Sequence, residues 1–135
     1  MNELETVLRL LEATNRHDLE GLVASFADDY SLESPSHPGR GFQGRDRVRG
    51  NWETIFAAVP DIQVELLSAA TDGETVWTEQ EMRGTRLDGT PHLMRGVFIF
   101  GVRDRLICWG RMYLEPVDDG GPNVLESLRR QVARP

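Results

Sequence analysis

The chain has 135 residues, 15 arginines, no lysine and 22 acidic residues, which give a formal net charge of -7 and a pI near 4.9. This length fits one domain with a core of its own. The acidic balance repels phosphate backbones and anionic lipid surfaces, so we expect neither a nucleic acid nor a membrane as a partner.

The sequence lacks the signals of several other protein classes. No apolar run approaches a membrane span, and the start MNELETVLRL is acidic and amphipathic rather than a signal peptide, which predicts a cytoplasmic protein. The single cysteine, Cys108, excludes an internal disulfide and a cysteine-rich metal site. The three histidines are scattered without metal-ligand spacing, so we expect no metal and no cofactor.

Three helices are predicted before the main sheet. Apolar residues recur at helical spacing in the first two, and the second begins at Asp18, a favourable N-cap residue. A third helix is predicted from Asp46 until Val59-Pro60. Their inward residues are Leu4, Val7, Leu8 and Leu11, then Leu19, Leu22, Val23 and Phe26, then Val48, Trp52, Ile55 and Phe56.

Strands are predicted at residues 30–34 and 62–70, and PSHPGRGFQG between them reads as a loop. The runs TVWTEQEMRGTRL, PHLMRGVFIFGV and RLICWGRMYLEP then predict a three-stranded antiparallel meander. The segment DDGGPN reads as a linker to a terminal helix, which either caps a pocket or forms a loosely attached tail. We therefore expect a domain at residues 1–117 and a tail at 118–135.

The register of the meander follows from its turns. Two-residue turns at Asp88-Gly89 and Arg103-Asp104 would place Gly96 between Glu81 and Arg111. One face then collects acids, arginines and aromatic rings, which predicts a lined pocket, the alternative being the solvated side of a half-exposed sheet. Its residues are Trp77, Glu79, Glu81, Arg83, His92, Met94, Phe98, Trp109, Arg111, Tyr113 and Glu115.

The opposite face is mostly apolar, apart from Gln80 and Arg95, and requires a covering layer of helices or a second subunit. It comprises Val76, Thr78, Met82, Val97, Ile99, Cys108, Met112 and Leu114. The residues from Val97 to Leu114 in this set predict a homodimer interface.

The order of elements, with FADDYSLESP after the second helix and GRMYLEPV on the last strand, resembles the NTF2-like superfamily and its SnoaL-like branch. The resemblance implies an α+β cone, in which a curved, mostly antiparallel sheet and three N-terminal helices enclose a pocket, and a homodimer through the outer sheet face. Leu10, Ser34 and Gly96 stand where ketosteroid isomerase has its catalytic residues, so steroid isomerisation is not expected. Other members are cyclases, dehydratases, epoxide hydrolases and non-catalytic binders.

Two hypotheses remain. The first is a cofactor-independent enzyme that performs cyclisation, isomerisation, dehydration or epoxide opening on a small, largely apolar molecule. Its catalytic residues would be Glu81 as acid or base, Arg111 as its orienting partner, Tyr113 as a donor, and Glu115 with His92 as a second pair. Its substrate-binding residues would be Trp52, Trp77, Glu79, Met94, Phe98 and Trp109. The rival is a non-catalytic binding or dimerisation protein in which Glu81 and Arg111 form a structural ion pair.

Overall fold

A computed structural model describes residues 2–133 and contains every predicted helix and strand. The helices are α1 (Glu3–Asn15), α2 (Leu19–Ala24), α3 (Arg45–Ala58) and α4 (Val124–Val132), and a 3-10 turn spans Pro38–Arg40. The strands are β1 (Phe26–Glu33), β2 (Phe42–Gln43), β3 (Gln63–Asp72), β4 (Thr75–Thr85), β5 (Pro91–Arg103) and β6 (Leu106–Pro116). Phe26, expected on the second helix, instead begins β1, and β2 lies within the predicted loop.

The six strands form one sheet in the order β2-β1-β6-β5-β4-β3, and all neighbours are antiparallel except β1 and β6. Helices α1 to α3 cover one face, which we call the inner face. Asn15, at the end of α1, fixes this helix to β3: its Oδ1 accepts from the Val64 amide at 2.7 Å, and its Nδ2 donates to the Val64 carbonyl at 2.9 Å. The expected cap is also present, since the Asp18 side chain accepts from the Gly21 amide at 3.0 Å.

The predicted register of β4 and β5 is wrong by one residue. Glu81 pairs with Arg95, not with Gly96. The reason is the turn: the amide of Arg86 donates to the carbonyl of Thr90 at 2.9 Å, so Leu87, Asp88 and Gly89 form a three-residue loop with Gly89 at φ 85°. One extra loop residue turns every side chain of β5 to the other face.

The predicted register of β5 and β6 is also wrong. The turn residues are Asp104 and Arg105, both at positive φ, one position later than expected. A register shift beside Gly101 adds a further residue, so Phe98 pairs with Met112 instead of Trp109.

Between β4 and β6 the two register errors cancel in the choice of face, although not in position along the strands. Glu81 and Arg111 therefore share a face as predicted, but they lie in different rows: Glu81 aligns with Arg95 and Glu115, whereas Arg111 aligns with Ile99 and Trp77. This is the outer face of the sheet, away from the helices. His92, Met94 and Phe98 belong to the inner face instead.

The expected apolar dimer surface is divided by the same correction. Met112 and Leu114 lie on the inner face beneath the chain's own helices, so they cannot form it, whereas Val97 and Ile99 lie on the outer face. The prediction that the residues from Val97 to Leu114 form one continuous dimer interface is therefore wrong.

Helix α4 follows the predicted linker and buries none of its residues. Its exposed apolar residues are Val124, Leu125, Leu128 and Val132. The predicted tail runs to residue 135, and its last two positions lie outside the described residues. In the described part of the chain, no helix combines the length and apolar composition needed to cross a membrane.

Candidate functional site

A cavity of about 450 Å³ lies between the inner face of the sheet and the helices. Its size falls within the range of small-molecule sites. Its lining is mostly apolar and comes from α1, α3 and the strands. The apolar lining residues are Leu10, Leu11, Phe26, Leu32, Phe42, Val48, Trp52, Ile55, Val64, Met82, Met94, Phe98, Phe100, Met112 and Leu114.

Gln80 of β4 is a polar residue in the cavity lining, and it is 3% exposed. Its Nε2 donates to Oγ1 of Thr78 at 2.9 Å, and that hydroxyl donates to the carbonyl of Phe98 at 2.6 Å. This chain of hydrogen bonds fixes the amide plane. The amide oxygen accepts no hydrogen bond within residues 2–133, so Gln80 adds a free acceptor to the residues that line the cavity.

Tyr30 of β1 is also a lining residue of the same cavity. Its ring is buried between Phe26 and Phe42, and a Cβ on Gly110 would lie 2.5 Å from its oxygen, so the glycine makes room for the phenol. Burial raises the pKa of Tyr30. A tyrosine hydroxyl is protonated at neutral pH even at its ordinary pKa, so this one is able to donate a hydrogen bond.

The solvent-exposed lining residues mark the mouth of the cavity. They are Arg40 in the 3-10 turn and Asn51 and Thr54 on α3. Within residues 2–133, no Asp, Glu, His or Cys contributes to the lining of this cavity. Its hydrogen-bonding groups are therefore neutral, apart from the guanidinium of Arg40.

The structure divides the predicted substrate-binding residues. Trp52, Met94 and Phe98 line the cavity, and their contact with a ligand stays a prediction. Trp77, Glu79 and Trp109 lie on the outer face because of the register, and Trp77 is 48% exposed.

Glu81, the predicted acid or base, also lies on the outer face. Its Oε2 accepts from Nε of Arg95 at 3.0 Å, and its other oxygen accepts from Arg83, which in turn binds Glu65 at 2.9 Å. The hydrogen bond from Arg95 lowers the pKa of Glu81 most, against the opposing effect of burial, and the charge of Arg83 lowers it further. The carboxylate is thus kept ionised in an ion-pair cluster outside the cavity. No salt bridge joins it to Arg111 in residues 2–133.

The remaining predicted catalytic residues do not meet in one site. The guanidinium of Arg111 lies 5.0 Å from the ring centroid of Trp109, a cation–π contact on the outer face, and Tyr113 is exposed there. Glu115 binds Nε2 of His37 at 2.7 Å, so the predicted pair with His92 is wrong. His92 has a lowered pKa, chiefly because of burial and also because of Arg86.

Sequence reasoning missed Tyr30 as a site residue and placed Gln80 on a face without assigning it a role. Gln80 carried a usable signal, since it is the one amide on a mostly apolar predicted face. Tyr30 carried none beyond its place in a predicted strand. Among residues 2–133, no three His, Cys, Asp or Glu side chains are placed to hold a metal ion together.

The comparisons with known proteins agree with this architecture. The model of the SnoaL-like domain matches residues 7–109. The chain belongs to the SnoaL-like domain family. The fold of this SnoaL-like protein is the α+β NTF2-like fold that the sequence predicted. A comparison with curated proteins finds no match.

Solved structures give the same result for the fold. A candidate polyketide cyclase of Streptomyces antibioticus, IdmH, is 25% identical with a TM-score of 0.74, and the match covers 85% of this chain and 93% of that one. An LEH-like epoxide hydrolase of Mycobacterium tuberculosis is 20% identical, with a TM-score of 0.73 and coverage of 84% and 82%. RV0760c of the same organism is 24% identical, with a TM-score of 0.72 and coverage of 82% and 92%, and its structure holds estradiol-17beta-hemisuccinate. The SnoaL-like fold therefore serves more than one chemistry.

Proposed function

We propose that this chain binds a small, largely apolar organic molecule in the inner cavity and engages its polar groups through Tyr30 and Gln80. The observation that supports this most is the cavity lining, which is apolar except for a few neutral groups and one arginine at the mouth. Sites of this composition bind apolar molecules by burial and orient them with a small number of hydrogen bonds.

Three methionines, Met82, Met94 and Met112, line the cavity from three adjacent strands. Their unbranched side chains adapt to ligands of different shape. The two fixed groups, the phenol of Tyr30 and the amide of Gln80, would then select among apolar molecules by the position of a carbonyl or hydroxyl group.

A second candidate function is turnover of the bound molecule. Tyr30 supports it, because a buried, protonated hydroxyl is a suitable donor to a carbonyl or epoxide oxygen that gains charge during reaction. Cyclisation, isomerisation, dehydration or epoxide opening would each use such a donor. The catalytic role proposed for Glu81 is not supported by its position, since its carboxylate lies outside the cavity.

Binding is tested with a neutral fluorescent probe, N-phenyl-1-naphthylamine, and two competitors that differ by one carbonyl group, 2-acetylnaphthalene and 2-ethylnaphthalene. We expect the ketone to displace the probe more strongly than the hydrocarbon.

Tyr30→Phe should remove most of this preference, about three- to tenfold in affinity for one hydrogen bond. Tyr113→Phe, an equal change on the outer face, is the control and should have no effect. Equal displacement curves in both variants would contradict the role of Tyr30, and absence of probe binding would contradict the cavity as a site.

A homodimer through the outer face is proposed as well, with a revised surface. Trp77, Leu93 and Tyr113 are exposed large hydrophobic residues on this face. Burying them against a second copy would remove apolar area from water. Sedimentation at micromolar concentration should give twice the monomer mass, and Trp77→Arg should shift it toward the monomer; a monomer for the unaltered chain would contradict the proposal.

The domain boundary and the cell compartment are also proposals. We propose that the folded domain spans residues 1–117. We also propose that the protein is cytoplasmic, and fractionation of cells that express the chain would test the compartment.

A further inference from the structure

Among the described residues that line the cavity, Arg40 is the one that carries a charge, and it lies at the mouth. Two arginines of α3 have acidic partners: Arg45 binds Asp28, and Arg49 binds Glu20 at 2.9 Å. In the described part of the chain, no carboxylate forms a salt bridge with Arg40. A guanidinium without a partner at the edge of an apolar cavity is therefore available to a ligand.

The loop that carries Arg40 is held in place on both sides. The amide of Arg40 donates to the carbonyl of His37 at 2.9 Å, and the imidazole of His37 binds Glu115 of β6 at 2.7 Å. Gly41 lies so close to β1 that a Cβ there would be 3.0 Å from the Leu32 carbonyl. The backbone at Arg40 is thus fixed beside β1 and β6, two strands that line the cavity, although the side chain of Arg40 is exposed.

Asn51 adds a neutral polar side chain at the same mouth, from the second turn of α3. Its amide is a hydrogen-bond donor among the exposed lining residues. The cavity is therefore graded in polarity, with apolar walls and neutral hydrogen-bonding groups inside and a cation with an amide at its entrance.

From this arrangement we infer that the ligand is an amphipathic organic anion, whose apolar body fills the cavity and whose carboxylate-like head is bound by Arg40 at the mouth. The inference rests on the proposed function, since it names the class of molecule that the same cavity binds. Guanidinium groups bind planar oxyanions through paired hydrogen bonds. The whole chain carries a charge of -7 and repels anions, so a preference for an anion must arise locally.

The test uses two fluorescent probes with the same skeleton, of which only one carries an anionic group. N-phenyl-1-naphthylamine is neutral, and 8-anilino-1-naphthalenesulfonate adds a sulfonate that stands in for the carboxylate. The ratio of their dissociation constants isolates the contribution of the head group. The variants are Arg40→Gln and, as a matched control, Arg47→Gln, an exposed arginine outside the cavity lining.

We expect Arg40→Gln to lower the affinity for the sulfonate probe by roughly three- to tenfold, as for the loss of a charged hydrogen bond that is partly solvated. The affinity for the neutral probe should not change. Arg47→Gln should change neither. This inference alone would be overturned if the neutral probe binds but the affinity for the sulfonate probe is the same in Arg40→Gln, Arg47→Gln and the unaltered chain. Failure of both probes to bind would overturn it together with the proposed function.

Discussion

Glu81 and Arg95 lie directly opposite each other on β4 and β5, and Oε2 of the carboxylate accepts from Nε of the guanidinium at 3.0 Å. Only 9% of the Glu81 side chain is exposed, whereas 57% of that of Arg95 is exposed. The carboxylate is thus the sheltered member of the pair, and the guanidinium is the exposed one. It serves to hold the outer face together.

Glu81→Gln should therefore lower the melting temperature and leave probe affinity unchanged. The amide preserves the shape but not the charge, so Arg83 and Arg95 would lose their shared anion. Glu79→Gln, on the same face but without a salt bridge in residues 2–133, is the control and should change the melting temperature less. A variant that melts as the unaltered chain does, yet fails to bind the probe, would restore Glu81 as a functional residue.

The same ion pair predicts a dependence on pH. The folded pKa of Glu81 is lowered, so its stabilisation is fully present above the pKa of an unfolded glutamate, about 4.3, and is lost as the pH falls through the folded value. The difference in stability between the unaltered chain and Glu81→Gln should stay constant near neutrality and shrink in acid. Chemical denaturation at a series of pH values measures it, and a difference that grows in acid would have the wrong sign.

Gly96 permits the close approach of β5 and β6. A Cβ there would lie 2.2 Å from the Tyr113 carbonyl oxygen and 2.9 Å from Cα of Leu114, both backbone atoms. Gly96→Ala should cost about 1–3 kcal/mol in the free energy of unfolding, because the strands must separate. Gly39→Ala meets no atom within 4 Å and should stay within about 0.5 kcal/mol. Equal stabilities for the two variants would show that this part of the sheet is not tightly paired.

Removal of the tail tests the domain boundary. Because α4 buries no residue, a chain that ends at Val117 should unfold within about 0.5 kcal/mol of the full chain and bind probes equally. Thermal denaturation and probe titration measure the two quantities. Weaker probe binding by the shorter chain would instead support the sequence hypothesis that the helix caps the cavity.

The sequence predicted the elements well because they depend on local signals. The spacing of Val7 and Leu11, the Asp18 cap and the Val59-Pro60 boundary each act within one or two turns of chain. The faces of the meander depend on single residues in its turns. Gly89 closes a loop of three residues rather than two, and this one residue moved Met94 and Phe98 to the face opposite Glu81.

The site was harder to predict for a related reason. The charged residues of the outer face led to the prediction of a pocket there. The cavity is instead lined mostly by apolar residues, whose sequence pattern is the same as that of an ordinary hydrophobic core. Tyr30 reaches the cavity through the parallel pairing of β1 with β6, a contact between distant segments that no local pattern reveals. Gln80 was visible as an exception, but its meaning depends on which face the helices cover.

The most direct test of the cavity as the ligand site uses the three tryptophans as internal reporters. Trp52 lines the cavity, whereas Trp77 and Trp109 lie on the outer face. In a titration with N-phenyl-1-naphthylamine followed by the indole N–H signals in nitrogen-15 NMR spectra, we expect the signal of Trp52 to shift with saturation while those of Trp77 and Trp109 stay in place. Saturable shifts of Trp77 or Trp109 with an unchanged Trp52 signal would place binding on the outer face and contradict the account.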